Sequence, residues 1–279
     1  MRRRRERRRA LPERPAMAST VFTPDRPALV RRLRAAGCVF AEDEAELLIA
    51  AADSAQALTR LVDRRVAGLP LEHLLGWAEF CGRRIAVHPG VFVPRGRTAL
   101  LVDAATALAG PAPAVLDLCC GSGAAAVVLH ERLTPRWLAA ADIDPVAVAC
   151  ARRNLEPLGV PVYEGDLFDA LPAGRRGTLD LVVANAPYVP TAAVTSLPAE
   201  ARLYEAPVAL DGGTDGLAVL RRVASGAAEW LAPGGHVVVE VSVAQAPELC
   251  AVFTAAGLEP AVVRDEEREA TAVTARRPG

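Results

Sequence analysis

Between about residue 24 and residue 77 the apolar positions recur at helical spacing. Leu29, Leu33 and Ala36 form one stripe, and Ala45, Leu48, Ile49 and Ala52 a second. Leu58, Leu61, Val62 and Val66 form a third, with breaks at Gly37 and at Gly68-Leu69-Pro70. The spacing therefore predicts a small all-helical domain over 24–77. The period then drops to two: Glu79-Phe80-Cys81-Gly82-Arg83-Arg84-Ile85-Ala86-Val87 alternates around a glycine, which predicts a β-hairpin. Pro89-Gly90-Val91-Phe92-Val93-Pro94-Arg95 continues it, giving a linker over 78–96.

From about residue 97 strand-length apolar runs alternate with helical patterns. Strands are predicted at Val115–Leu118, Leu138–Asp142, Val160–Tyr163, Leu179–Ala184, His236–Val243, 259–264 and 270–275. Helices are predicted at 123–132, 145–157, 216–231 and 244–256. Residues 189 to about 214 read as a long loop, and Pro233-Gly234-Gly235 as a turn. This rhythm implies an α/β domain over 97–279, with a mainly parallel sheet covered by helices on both faces.

Composition narrows the class. Hydrophobic residues make up 52% of the 279, with mean hydropathy +0.21, as a well-filled core requires. No apolar run reaches the roughly 18 residues of a membrane span, so a soluble, cytoplasmic protein is expected. All 32 basic residues are arginine, a coding bias rather than a phosphate-binding signal. Residues 1–16 hold eight Arg and two Glu, a charge of +6; the chain's net −1 leaves −7 for the rest. Residues 1–23 are read as a disordered basic tail, and the acidic body is poor material for duplex nucleic acid. The six cysteines show no Cys-x-x-Cys pair and no histidine at zinc spacing. They read as reduced, structural thiols, and no metal is expected.

The candidate chemistry lies at strand ends. The first predicted strand of the α/β domain ends in Asp117, followed by a turn carrying Cys119, Gly121 and Gly123. Glycine admits close backbone approach to a ligand, and the next helix presents free N–H groups. Asp142 ends the next strand, 19 residues past Gly123. A carboxylate there can accept from both ribose hydroxyls of an adenosine ligand, while Asp144 ahead of Pro145 caps a helix. Asp166 follows the third strand and can accept from an adenine amino group, with Leu167 or Phe168 over the ring. This much serves NAD as readily as S-adenosylmethionine.

Asn185-Ala186-Pro187-Tyr188, directly after Leu179–Ala184, breaks that tie. An amide or adenine amino nitrogen is a poor nucleophile, because its lone pair is delocalised. Acceptors from the Asn185 side chain and the Ala186 carbonyl can orient its two N–H bonds and free the pair. Tyr188 then stacks on the acceptor plane. Attack on a sulfonium methyl needs positioning more than acid–base chemistry. Catalytic residues are accordingly expected at Asn185, Ala186, Pro187 and Tyr188.

The chain resembles the HemK-type protein-(glutamine-N5) methyltransferases from about residue 25 to its end. The resemblance is carried by 70–76, Phe80 with 89–95, Asp117 through Gly123, 141–145, 185–188 and 204–213. It implies a seven-stranded, Rossmann-like class I methyltransferase sheet with a reversed last hairpin. It also implies S-adenosylmethionine as cofactor, held by Asp117, Cys119, Gly121, Gly123, Asp142, Ile143, Asp166, Leu167 and Asn185. The best-known acceptor of that family is the Gly-Gly-Gln loop of a peptide-chain release factor. Three departures mark a divergent member. Ala186 replaces the first proline of Asn-Pro-Pro-Tyr, Glu205-Ala206 replaces Glu-Pro, and Pro94-Arg95-Gly96-Arg97-Thr98-Ala99 replaces Pro-Arg-Pro-Glu-Thr-Glu. Two alternatives stay open on the sequence: methylation of a nucleic-acid amino group, and a cofactor-binding scaffold that has lost catalysis.

Overall fold

The computed structural model describes residues 24–279; the basic stretch 1–23, with its expected disorder, lies outside the described residues. Four helices come first: α1 (Arg26–Ala35), α2 (Ala41–Ala51), α3 (Ala55–Val66) and α4 (Leu71–Leu75). Asp25 caps α1 through the Ala28 N–H, and Ser54 caps α3 through the Ala57 N–H, which satisfies donors that a helix start leaves free. The apolar stripes meet in a core of their own around Leu29, Leu33, Leu48, Leu58 and Val62.

Strands β1 (Trp77–Phe80) and β2 (Arg83–Ala86) form the expected antiparallel hairpin. Its two turn residues, Cys81 and Gly82, both have positive φ (50° and 76°). That is the turn whose twist matches paired strands. Helix α5 (Ala99–Leu108) follows, in a stretch where the sequence pattern predicted no element. Leu100, Leu101, Val102 and Ala105 are all buried, so no polar face betrays its period.

The remaining elements alternate as expected: β3 (Ala114–Leu118), α6 (Ala124–Leu133), β4 (Trp137–Asp142), α7 (Pro145–Leu155), β5 (Val162–Glu164) and β6 (Leu179–Ala184). The stretch read as a long loop holds two short helices, α8 (Thr191–Val194) and α9 (Ala199–Tyr204), each entered through a proline, Pro190 and Pro198. Then come α10 (Ala218–Trp230), β7 (Leu231–Glu240), α11 (Ala246–Ala255), β8 (Glu259–Asp265) and β9 (Ala270–Arg276). The seven strands lie in the order β5-β4-β3-β6-β7-β9-β8, parallel except for β9, which runs against both its neighbours.

Along β3 and β6 successive side chains serve opposite faces. Val115, Leu181 and Val183 pack under α5, α6 and α7, whereas Leu116, Val182 and Ala184 pack under α10 and α11. One boundary differs materially from the pattern. The expected strand His236–Val243 begins earlier and ends earlier, because Leu231 already pairs with Leu179 and the ladder runs through Pro233-Gly234-Gly235 with a register shift. Its last residue is Glu240. No described helix is long and apolar enough to cross a membrane. The six cysteines are all free.

Candidate active site

The carboxyl ends of β3, β4 and β6 open on a cavity of about 680 Å³, the position where open parallel sheets hold ligands. It gathers Asp117, Cys119, Gly121, Asp142, Ile143, Asp166 and Leu167 on one side and Asn185 through Tyr188 on the other. Gly123 alone among the expected residues lies off its wall. At φ 76° it caps α6 from outside, and a Cβ there would meet Leu155 Cδ1 at 2.9 Å. Packing against α7 therefore requires glycine here whether or not a ligand comes close.

Asp142 turns the chain around itself. Its Oδ2 accepts the Gly121 N–H at 2.8 Å and its Oδ1 accepts the Asp144 N–H at 2.9 Å. Each oxygen keeps a lone pair for a ligand hydroxyl. Asp144 caps α7 through the Val146 N–H, 2.9 Å away. Asp166 is held by the guanidinium of Arg222, another residue of the cavity wall, at 2.8 Å. Of the two apolar residues expected beside it, only Leu167 borders the cavity. Phe168 is buried in the core and stacks on Trp230.

Asp117 is 2% exposed, and its Oδ2 accepts the Ala126 N–H at 2.9 Å. Burial pushes its carboxyl up to about 8, that hydrogen bond opposes the rise, and the Asp142 charge adds to it. Between the unfolded carboxylate value, near 4, and about 8 the folded chain holds a proton that the unfolded chain releases. Ligand-free stability should therefore fall as pH rises across that window, by up to ~1.4 kcal/mol per unit. Melting temperatures from pH 5 to pH 8.5 should show the slope in the wild type and a flatter profile in Asp117→Asn. Burial likewise raises the Cys119 and Cys120 thiols well above their ordinary range. Both stay protonated, and so are poor nucleophiles.

Asn185 directly follows β6. Its Nδ2 donates to Thr98 Oγ1 at 3.3 Å, leaving Oδ1 without a partner among the described residues. Ala186, 1% exposed, lines the cavity beside it. Tyr188 donates its hydroxyl to Glu240 Oε1 at 3.0 Å, and the same oxygen accepts from Arg97 Nε at 3.0 Å. Burial and the Glu240 charge push the Tyr188 phenol up, so it stays a neutral donor.

Thr98, Arg97 and Glu240 were not among the expected site residues. The available signal for Glu240 was a lone acid ending the apolar run 237–239. Glu205 is another addition: its Oε1 accepts from the Val93 N–H and from the Arg95 guanidinium, fixing the linker to the end of α9. Arg65 of α3 joins Glu44 at 2.6 Å to Glu200 of α9 at 2.7 Å, tying the helical region to the cavity roof.

The glycines of 211–216 have a clear task. A Cβ on Gly212 would lie 2.7 Å from the Pro187 carbonyl oxygen, and one on Gly216 would lie 2.2 Å from that of Tyr188. This loop is pressed against the backbone that aims Tyr188. Gly216→Ala should cost about 1–3 kcal/mol of stability and reduce transfer more than cofactor affinity. Thermal melts and cofactor titration of the variant would check this.

The strand order, the reversed β9 and a cavity at the strand ends lined by Asp142 and by Asn185 through Tyr188 fit an α/β methyltransferase. Comparisons with known proteins agree. Residues 82–225 match the methyltransferase small domain. A release factor glutamine methyltransferase of Geobacter sulfurreducens is 42% identical over 71% of this chain and 69% of its own. A 4-amino-L-phenylalanine/4-methylamino-L-phenylalanine methyltransferase of Streptomyces pristinaespiralis is 36% identical over 70% and 69% respectively. Among solved structures, a methyltransferase from Pyrococcus furiosus superposes with a TM-score of 0.56 at 17% identity, over 72% of this chain and 91% of that one. The chain belongs to the family of release factor glutamine methyltransferases, the HemK-type enzymes.

Proposed function

We propose that this enzyme transfers a methyl group from S-adenosylmethionine to the side-chain amide nitrogen of a glutamine in a cytoplasmic protein, a peptide-chain release factor or another translation protein. The observation that carries it is Asn185 Oδ1, without a partner among the described residues, on a residue that lines the cavity together with Ala186 and Tyr188. The names of the relatives support the glutamine acceptor.

The residues fit the cofactor. Asp142 has lone pairs left for ribose hydroxyls, and Gly121 at φ 56° lets the turn approach closely. Asp117, neutral in the ligand-free site, supplies a buried carboxyl that the charge of a cationic ligand would draw into its ionised form. Asp166 suits an amino group, and Ile143 and Leu167 offer apolar cover. Bound there, the cofactor supplies an electrophilic sulfonium methyl.

The chain's own part is positioning. Asn185 Oδ1 and the Ala186 carbonyl accept the two N–H bonds of the acceptor amide, which aims its nitrogen. Tyr188 walls the acceptor from water. The buried network around Thr98 and Glu240 keeps these groups in place. The helical domain 24–77 and the linker 78–96 frame the mouth through Arg65–Glu200 and Glu205, and so form part of the surface that meets a protein acceptor.

A second acceptor class, the aromatic amine of a free amino acid, is favoured by the 36%-identical Streptomyces relative. Its NH2 is planar and equally suited to the Asn185 corner. Nucleic acid is not favoured, given the −7 body and the names of the relatives. Incubating the enzyme with labelled cofactor and either a release factor or 4-amino-phenylalanine decides between the acceptors. Label in neither, with the cofactor bound, would remove both.

A further inference from the structure

Glu240 closes β7 one residue beyond the pairing of Ala184 with Val239, so it stands beside Asn185 on the neighbouring strand. It is 4% exposed and does not reach the cavity, yet both its partners, Arg97 and Tyr188, line it. One carboxylate oxygen carries both hydrogen bonds; the other is buried with no partner among the described residues. We propose that Arg97 and Glu240 form a charge-balanced clamp that fixes the Tyr188 ring at the acceptor corner, both as positioning residues.

The physical case rests on what each partner does alone. A hydrogen bond to a carboxylate is stronger than one to a neutral acceptor, so Glu240 holds the phenol firmly. A buried carboxylate is costly without a cation, and Arg97 supplies it at 3.0 Å. In the Pro-Arg-Pro-Glu-Thr-Glu pattern a glutamate occupies the position of Arg97. Here the arginine instead places a positive charge 3.0 Å from Glu240 Oε1, the oxygen that anchors Tyr188. Tyr188 is then held from both ends: its backbone by Gly212 and Gly216, its hydroxyl by Glu240.

The inference rests on the reading of Tyr188 as the acceptor wall, and its test separates the two. The variants are Arg97→Leu, Glu240→Gln and the double variant in the full-length enzyme. S-adenosylhomocysteine affinity, kcat and acceptor KM are measured for each. Arg97→Leu should lower kcat on the order of tenfold, as small misplacements at a reacting centre do, with affinity for the cofactor product within about twofold. Arg97→Leu/Glu240→Gln should recover most of the loss, since a neutral amide accepts the Tyr188 hydroxyl without needing a cation.

The chain has three tyrosines, so the ring signals of 13C-tyrosine-labelled enzyme give a readout independent of any acceptor. The Tyr188 signal, assigned by its loss in Tyr188→Phe, should shift or broaden in Arg97→Leu while those of Tyr163 and Tyr204 stay. An unmoved Tyr188 signal, a double variant no better than Arg97→Leu, or an equal loss of S-adenosylhomocysteine affinity overturns the clamp. If no acceptor is methylated by the wild type, the ring signals alone decide it.

Discussion

Asn185→Ala should lower kcat by at least ~10²-fold, the scale seen when a preorganised hydrogen-bonding group is lost from a reacting centre, and leave cofactor affinity within a few-fold. The expectation follows from what the side chain touches. Its only described partner is Thr98, through Nδ2 at 3.3 Å, so Oδ1 has no structural duty that alanine would disturb. An amide nitrogen presented without that acceptor keeps its lone pair delocalised and loses its aim. Asn185→Asp separates acceptor from donor. It keeps an accepting oxygen, and the Thr98 hydroxyl can turn to donate, so its loss should be smaller than that of alanine. Single-turnover transfer with saturating labelled cofactor measures the chemical step directly. A drop in cofactor affinity that matches the drop in rate would refute the assignment of Asn185 to the acceptor.

The parts of this site legible in the sequence are those carried by contiguous residues. Asn185 through Tyr188 follow a strong apolar run, and Asp142-Ile143-Asp144-Pro145 holds both a pocket acid and a helix cap in five consecutive positions counted from Ala141. What stayed hidden came from tertiary assembly. The lone acid at Glu240 went unused because the strand carrying it was expected to run on to Val243, which makes position 240 an interior residue instead of the strand's last. Arg97 read as a lost carboxylate, since nothing local says that an acid from 143 residues away meets it. Gly123 carries two readings at once: a glycine in a strand–helix turn looks like a ligand contact, but packing against Leu155 demands it equally.

Asp142→Ala should weaken the cofactor by about 1–3 kcal/mol, the cost of lost hydrogen bonds at a buried group, or roughly 5- to 150-fold in Kd, while kcat at saturation changes little. Two effects add. The ligand hydroxyls lose their acceptor, and the Gly121 and Asp144 N–H groups, 2.8 and 2.9 Å from the carboxylate, lose theirs. The second effect loosens the turn that any nucleoside must enter. Asp142→Asn discriminates between them. Its amide oxygen can still accept from one backbone N–H, but its NH2 would face the other donor, so the turn is half restored. If the ribose contacts carry most of the affinity, the asparagine variant should bind nearly as poorly as alanine with its melting temperature partly recovered. If the turn carries it, affinity and melting temperature should recover together. Titration calorimetry with S-adenosylhomocysteine beside a thermal melt reads both. Wild-type affinity in Asp142→Ala would remove this carboxylate from the cofactor site.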